Sequence, residues 1–140
     1  MSKQRLRLTV ITEYFPVSAT EGITGGVELR AFEVLRRIAR KVQVTVICSH
    51  QPGQPRTHVV HNMQIHRVGP TIQYSNSGRI INRLLFAVAA FLQARQIPAD
   101  ILEGYSFLSY LPAWIAARMQ HIPAIATYHE SWTNGGWVAH

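Results

Sequence analysis

Short apolar runs and amphipathic helical stretches take turns along this chain, and few folds accommodate that alternation. Leu6 to Thr12 is rich in β-branched and apolar residues and reads as a first strand. From about Gly26 to Lys41, Val27, Ala31, Val34, Leu35, Ile38 and Ala39 recur at three- and four-residue steps, which is one buried helix face. Val42 to Ile47 is nearly continuous in apolar residues, as a strand covered on both sides would be. Met63 to Val68 alternates and reads as a third strand. A second helix is expected from about Arg79 to Gln96, with a wide apolar face of Ile80, Ile81, Leu84, Leu85, Val88, Phe91 and Leu92, and Pro98 stops it. Ile101-Leu102-Glu103 is a very short fourth strand. A third helix is expected from about Leu111 to Gln120, with Ser109 as its cap, Pro112 in its first turn and Trp114 in the core. Pro123 to Tyr128 completes the set as a fifth strand.

Strands joined through helices make a parallel sheet with right-handed crossovers, so the fold class is α/β with a doubly wound parallel sheet. Ligands of such sheets sit beyond the carboxyl ends of the strands. The loops at those ends are 13–26, 49–57, 103–109 and 129–132. The first of them ends in Gly25-Gly26, where strand gives way to helix. A glycine pair there lets a ligand approach the backbone, and the free N–H groups of the helix's first turn favour a phosphate. The alternative is a plain tight turn. The spacing fits neither the dinucleotide fingerprint nor a P-loop.

Length and composition narrow the function. At 140 residues the chain is one domain, long enough to bury about two-thirds of its unfolded surface. A 47% hydrophobic fraction argues against disorder. The lone Cys48 excludes an intrachain disulfide and suits a reducing compartment. The apolar run from Leu84 to Leu92 is far too short to span a bilayer, and the N-terminus makes a poor signal peptide, so the chain reads as cytoplasmic. The net charge of +7 fits either a solvated basic surface or acidic partners such as phosphorylated ligands and anionic lipid headgroups. Arg36, Arg37, Arg40 and Lys41 crowd the end of the first helix, either matching its dipole or forming a membrane-facing patch. Basic residues lack aromatic interleaving, so nucleic acid is not an expected partner. His58, His61 and His66 span a loop and a strand without an accompanying Cys or Asp and read as scattered histidines rather than metal ligands.

Several segments together resemble the N-terminal half of a group 1 (family 4) glycosyltransferase of the GT-B fold. They are Gly25-Gly26-Val27-Glu28, Val44-Thr45-Val46-Ile47 and Ala99-Asp100-Ile101-Leu102-Glu103, then Leu111-Pro112-Ala113 through Ile122-Pro123-Ala124-Ile125, and finally Ala126-Thr127-Tyr128-His129-Glu130. The resemblance implies a Rossmann-like acceptor-side domain that faces a separate nucleotide-sugar-binding domain across a cleft. The implied reaction is sugar transfer with retention at the anomeric carbon and without a metal. Gly25 and Gly26 would lie at the donor diphosphate and sugar. His129 would hydrogen-bond the donor sugar as the catalytic-site histidine. Glu103 and Tyr105 would line the acceptor side, with Tyr14 and Glu28 beside them. Glu103 also reads as a strand-capping carboxylate, and Tyr14 as a packed loop anchor. Trp132 and Trp137 are candidates for stacking on a sugar.

The implied partners are a nucleotide sugar and a glycan or lipid-linked acceptor, with peripheral contact at the inner membrane face. The family's N-terminal domain continues beyond His140 and the donor domain follows it, so the chain is expected to be truncated or to work with a donor-domain partner chain. The family's E-x7-E pair belongs to that donor domain; Glu13 and Glu21 share its spacing here by coincidence. A non-catalytic half that docks such a partner, or an inactive remnant, is the competing reading.

Overall fold

The computed structural model describes residues 3–74 and 79–128. The elements run in the order β1 (Arg7–Ile11), α1 (Gly26–Ile38), β2 (Gln43–His50), β3 (Thr57–Val60), β4 (Met63–Thr71), α2 (Ile80–Ala94), β5 (Ile101–Gly104), α3 (Phe107–Gln120) and β6 (Ala124–Ala126). They form one sheet in the order β3-β4-β2-β1-β5-β6. Every pairing is parallel except the β3–β4 hairpin.

β1 lies at the centre because nearly all of it is apolar or hydroxylic and can be covered on both faces. Its alternate residues feed two cores. Leu8 and Val10 join Val44, Val46, Cys48, Met63 and Ile65 under Phe32 and Leu35 of α1. Ile11, Ile47 and Leu102 face the other way, under Phe86, Ala90 and Ala94 of α2 and Ala113, Ala116 and Ala117 of α3. The small alanines let α2 and α3 sit close to the sheet and to each other.

The structure corrects the sequence reading in several places. The sheet has six strands rather than five: β3 pairs with β4 through a two-residue turn, His61-Asn62, both with positive φ (47° and 65°). Such a turn matches strand twist but usually announces itself with glycine, which is absent here. β4 runs on past Val68, the expected end of this strand, through Gly69 to Thr71. α3 starts at Phe107, not Leu111, with Ser106 rather than Ser109 at its N-cap. Ser109 is buried within the first turn, its Oγ 2.7 Å from that of Ser106. Pro112 therefore falls inside the helix, where its missing N–H takes one bond out of the ladder.

Two helix faces also differ. Trp114, expected in the core, is 54% exposed, because Ala113, Ala116 and Ala117 make the buried stripe of α3. On α2 only Phe91 of the expected apolar face packs against the core, together with Phe86, Ala90 and Ala94. The rest of that face is turned to solvent.

Candidate functional site

The carboxyl ends of β1, β5 and β6 lie side by side, and the chain places its polar candidates there. The loop after β1 is fastened before it reaches α1. The Ser49 N–H donates to the Glu13 carbonyl at 3.0 Å, tying that loop to β2. Arg67 of β4 reaches beneath it and donates to the carbonyls of Phe15 and Pro16.

At its far end, Gly25 is the N-cap of α1 in an extended conformation (φ −172°, ψ 174°) that any residue adopts. The space a Cβ would take is held by a side chain that can move: it would stand 2.7 Å from a carboxylate oxygen of Glu28. Glu28 thus folds back over the positive end of its own helix, as the dipole favours. A Cβ on Gly26 would meet nothing within 4 Å, so the first turn of α1 opens outward there.

Glu13, which sequence reasoning set aside, belongs to this corner. It forms an ion pair at 3.4 Å with Arg83 of α2. Burial pushes its carboxyl above the ordinary range, the Arg83 charge opposes that shift, and the nearby Glu28 charge adds to it. Its position immediately beyond β1 was the available signal. Tyr14 is buried, its ring edge-on to that of Tyr74 with the centroids 4.8 Å apart.

The second half of the site sits where β5 ends. Glu103 lies between Val10 and Ile125 in the sheet register and accepts a hydrogen bond from the Thr127 hydroxyl. Burial raises its pKa and the Thr127 bond partly offsets this. Tyr105 is 7% exposed and belongs to the core beneath α1. Burial, aided by the Glu103 charge and opposed by Arg30, pushes its phenol up to about 12. Tyr105 therefore stays a neutral phenol at physiological pH. The Thr127 N–H donates to the Gly104 carbonyl at 2.9 Å, and Tyr110 of α3 donates to the Thr127 carbonyl at 2.9 Å. Thr127, Tyr110, Arg30 and Arg83 were not singled out from sequence, since only the sheet order brings them to these strand ends.

A polar groove of about 370 Å³ flanks the site, lined among others by Glu21, Gln51, Gln54, Gln73 and Tyr74. It joins the loops after β1 and β2, as the topology requires. The three histidines serve separate tasks. His58 contacts the Val17 carbonyl at 3.1 Å, His61 packs edge-on against Phe32, and burial lowers the pKa of His66. Among the described residues no group of His, Cys, Asp and Glu could hold a metal. His129, Trp132 and Trp137 lie outside the described residues.

A largely parallel sheet with helices on both faces, and a glycine-led helix N-terminus at the carboxyl end of its central strand, define a Rossmann-like α/β domain. The chain belongs to glycosyltransferase family 4, whose sequence profile matches residues 24–140. Its fold matches that of sucrose-phosphate synthase from Thermosynechococcus elongatus, a GT-B glycosyltransferase, with a TM-score of 0.64 at 15% identity. The match covers 90% of this chain and 33% of the synthase, so the chain spans about a third of that enzyme's length. The C-terminal domain of a hydrogenase from Pyrococcus furiosus is similar in fold alone, with a TM-score of 0.53, 12% identity, and coverage of 91% of this chain and 96% of that domain. No curated protein matches the sequence.

Proposed function

We propose that this domain is the acceptor-side half of a glycosyltransferase that moves a sugar from a nucleotide-sugar donor to a glycan or lipid-linked acceptor with retention. In that reaction the bond from the anomeric carbon to the diphosphate breaks and the diphosphate keeps the electron pair. The acceptor oxygen bonds to the same face of the sugar and loses its proton. The observation that carries the reading is the first turn of α1, which opens outward at Gly26 at the carboxyl edge of the sheet; the flexible Glu28 carboxylate that folds back over this turn gives way to the diphosphate. N–H groups aimed there would stabilise the charge that gathers on a leaving diphosphate, and no metal is needed for that role.

On this reading Gly25 and Gly26 admit the diphosphate, and His129 hydrogen-bonds the donor sugar. Glu103 and Tyr105 lie on the acceptor side with Tyr14 and Glu28. Glu103 then positions an acceptor hydroxyl, and Tyr105 and Tyr14 support the wall behind it. The nucleotide-binding half comes from a further domain or a partner chain. A nucleotide sugar as substrate and a single, buried cysteine fit a cytoplasmic setting.

The test is His129→Ala in the natural polypeptide that carries this sequence. Turnover is expected to fall by about 100-fold or more with the melting temperature unchanged. Near-normal turnover would remove His129 from the site.

A further inference from the structure

We propose that the groove between the loops after β1 and β2 binds a neutral saccharide, as a second subsite for the acceptor. The acceptor role rests on the sugar-transfer reading above; the binding rests on the groove itself. At about 370 Å³ it falls in the range of small-ligand sites. Its polar side chains are Glu21, Gln51, Gln54 and Gln73, with the ring of Tyr74 beside them.

Both walls are fixed in advance. Pro52 and Gly53 centre a tight turn that closes where the Gln54 N–H donates to the Gln51 carbonyl at 3.2 Å. Gly53 is left-handed (φ 76°), as the third position of a type II turn requires. The two glutamines flanking the turn lock together. Gln54 Nε2 donates to Gln51 Oε1 at 2.9 Å, and the Gln51 N–H donates to Gln54 Oε1 at 3.3 Å. His50 ties this turn to β4: its Nε2 donates to the Gln54 carbonyl at 2.8 Å, and its Nδ1 lies 2.7 Å from the Thr71 hydroxyl. On the other wall the Glu21 carbonyl accepts from the N–H groups of Val17 at 2.9 Å and Ser18 at 3.2 Å. A Cβ on Gly22 would stand 3.2 Å from Gln54 Nε2, so the two loops meet there. Groups held in place beforehand lose little freedom when a ligand arrives.

The chemistry of the lining selects the ligand. The chain carries 14 Lys and Arg residues, yet none is among the described residues that line the groove. A phosphate would find no cation there and would be repelled by the Glu21 carboxylate. Each glutamine amide is both donor and acceptor, which is what neighbouring sugar hydroxyls demand, and the carboxylate accepts a further hydroxyl. An aromatic ring suits the C–H face of a pyranose. The Tyr74 ring is held edge-on to buried Tyr14, and its hydroxyl lies 3.8 Å from where a Cβ on Gly25 would stand. The groove therefore reaches the first turn of α1, and a saccharide lying in it extends toward the place where the proposed transfer occurs.

The test is ligand-observed NMR on the natural polypeptide that carries this sequence, with maltotriose, cellotriose, mannotriose and chitotriose as probes. At least one of these neutral trisaccharides is expected to bind in the millimolar range or tighter, and inorganic phosphate should not displace it. Glu21→Ala with Gln73→Ala removes two exposed side chains and should weaken that binding about ten-fold or more with the melting temperature unchanged. If this double variant misfolds, the wild type decides: with nitrogen-15 in its glutamine side chains, the amide signals of Gln51 and Gln54 should move as the trisaccharide is added. The proposal is overturned if no trisaccharide binds, if phosphate displaces the bound one, if the folded double variant binds as wild type does, or if the glutamine signals stay in place. The two readings fail separately. Sugar transfer with no saccharide in the groove overturns this proposal alone. Saccharide binding without any sugar transfer overturns the transfer reading, and the acceptor role with it, while the binding site stands.

Discussion

The guanidinium of Arg67 donates to the carbonyl of Phe15 at 3.0 Å, joining β4 to a loop 52 residues earlier in the chain. The same side chain reaches the Pro16 carbonyl at 3.2 Å and the sulfur of Cys48 at 3.1 Å, and it is 3% exposed. No carboxylate is among these partners. A buried cation is held here by carbonyl dipoles, and it fixes the loop that leads to Gly25.

Arg67→Met should therefore destabilise the domain by about 1–3 kcal/mol, because two buried carbonyls lose a charged donor. Urea unfolding gives the value. Arg67→Lys should recover only part of the loss, since one ammonium cannot copy the planar fork. A methionine variant as stable as wild type would mean that the loop needs no anchor.

Two glycine variants separate space from conformation. A Cβ at Gly104 would stand 2.9 Å from the Ser109 carbonyl oxygen and 3.2 Å from the Tyr110 Cα, both backbone. Gly104→Ala must push the first turn of α3 away from β5 and should cost about 1–3 kcal/mol. Gly26→Ala meets nothing within 4 Å and lies in the first turn of α1. It should leave stability unchanged or raise it by up to about 1 kcal/mol. On the proposed function it should nevertheless weaken donor binding in the natural polypeptide. A melting curve and a donor titration together check both expectations.

Burial raises the Glu103 carboxyl above its ordinary value of 4.5, against the opposing pull of Thr127. The native state then holds this proton more tightly than the unfolded chain does. That advantage is complete below the ordinary value and is lost as pH rises through the raised native one. Glu103→Gln keeps an acceptor for the Thr127 hydroxyl and cannot ionise. Its urea midpoint, relative to wild type, should rise as pH goes from about 4 to about 7. A difference that shrinks over this range would mean the carboxylate is held ionised.

Cys48 is buried, and burial pushes its thiol up to about 11 in spite of the Arg67 charge. At about pH 8 it stays protonated and out of reach, so a disulfide reagent should label it only as fast as the domain opens. Labelling in added urea should follow the unfolding curve. Rapid labelling of the native protein would contradict this burial.

The apolar runs of β1 and β2, the existence of α1 and the stop at Pro98 were legible in the sequence, because each follows from neighbours a few residues apart; the buried face of α1 was read only in part, since Val27 and Val34 are exposed and the fully buried Phe32 was not among the residues read as that face. So was the convergence of the loops after β1 and β5, which follows from parallel topology. The β3–β4 hairpin was hidden, since His61 and Asn62 take up left-handed conformations without a glycine to mark them. The start of α3 was misplaced because the close approach of Ser109 to Gly104 is a contact between elements.

By itself, the sequence determined the α/β alternation and placed the Gly25-Gly26 turn at the carboxyl end of the first strand, because periodicity and turn chemistry are local. Only the tertiary structure decided which side of a largely apolar helix is covered. Alanines at 90, 94, 113, 116 and 117 allow the closest packing and so draw that side of α2 and α3 inward. The larger Leu84, Leu85, Val88 and Trp114 are thereby left facing outward.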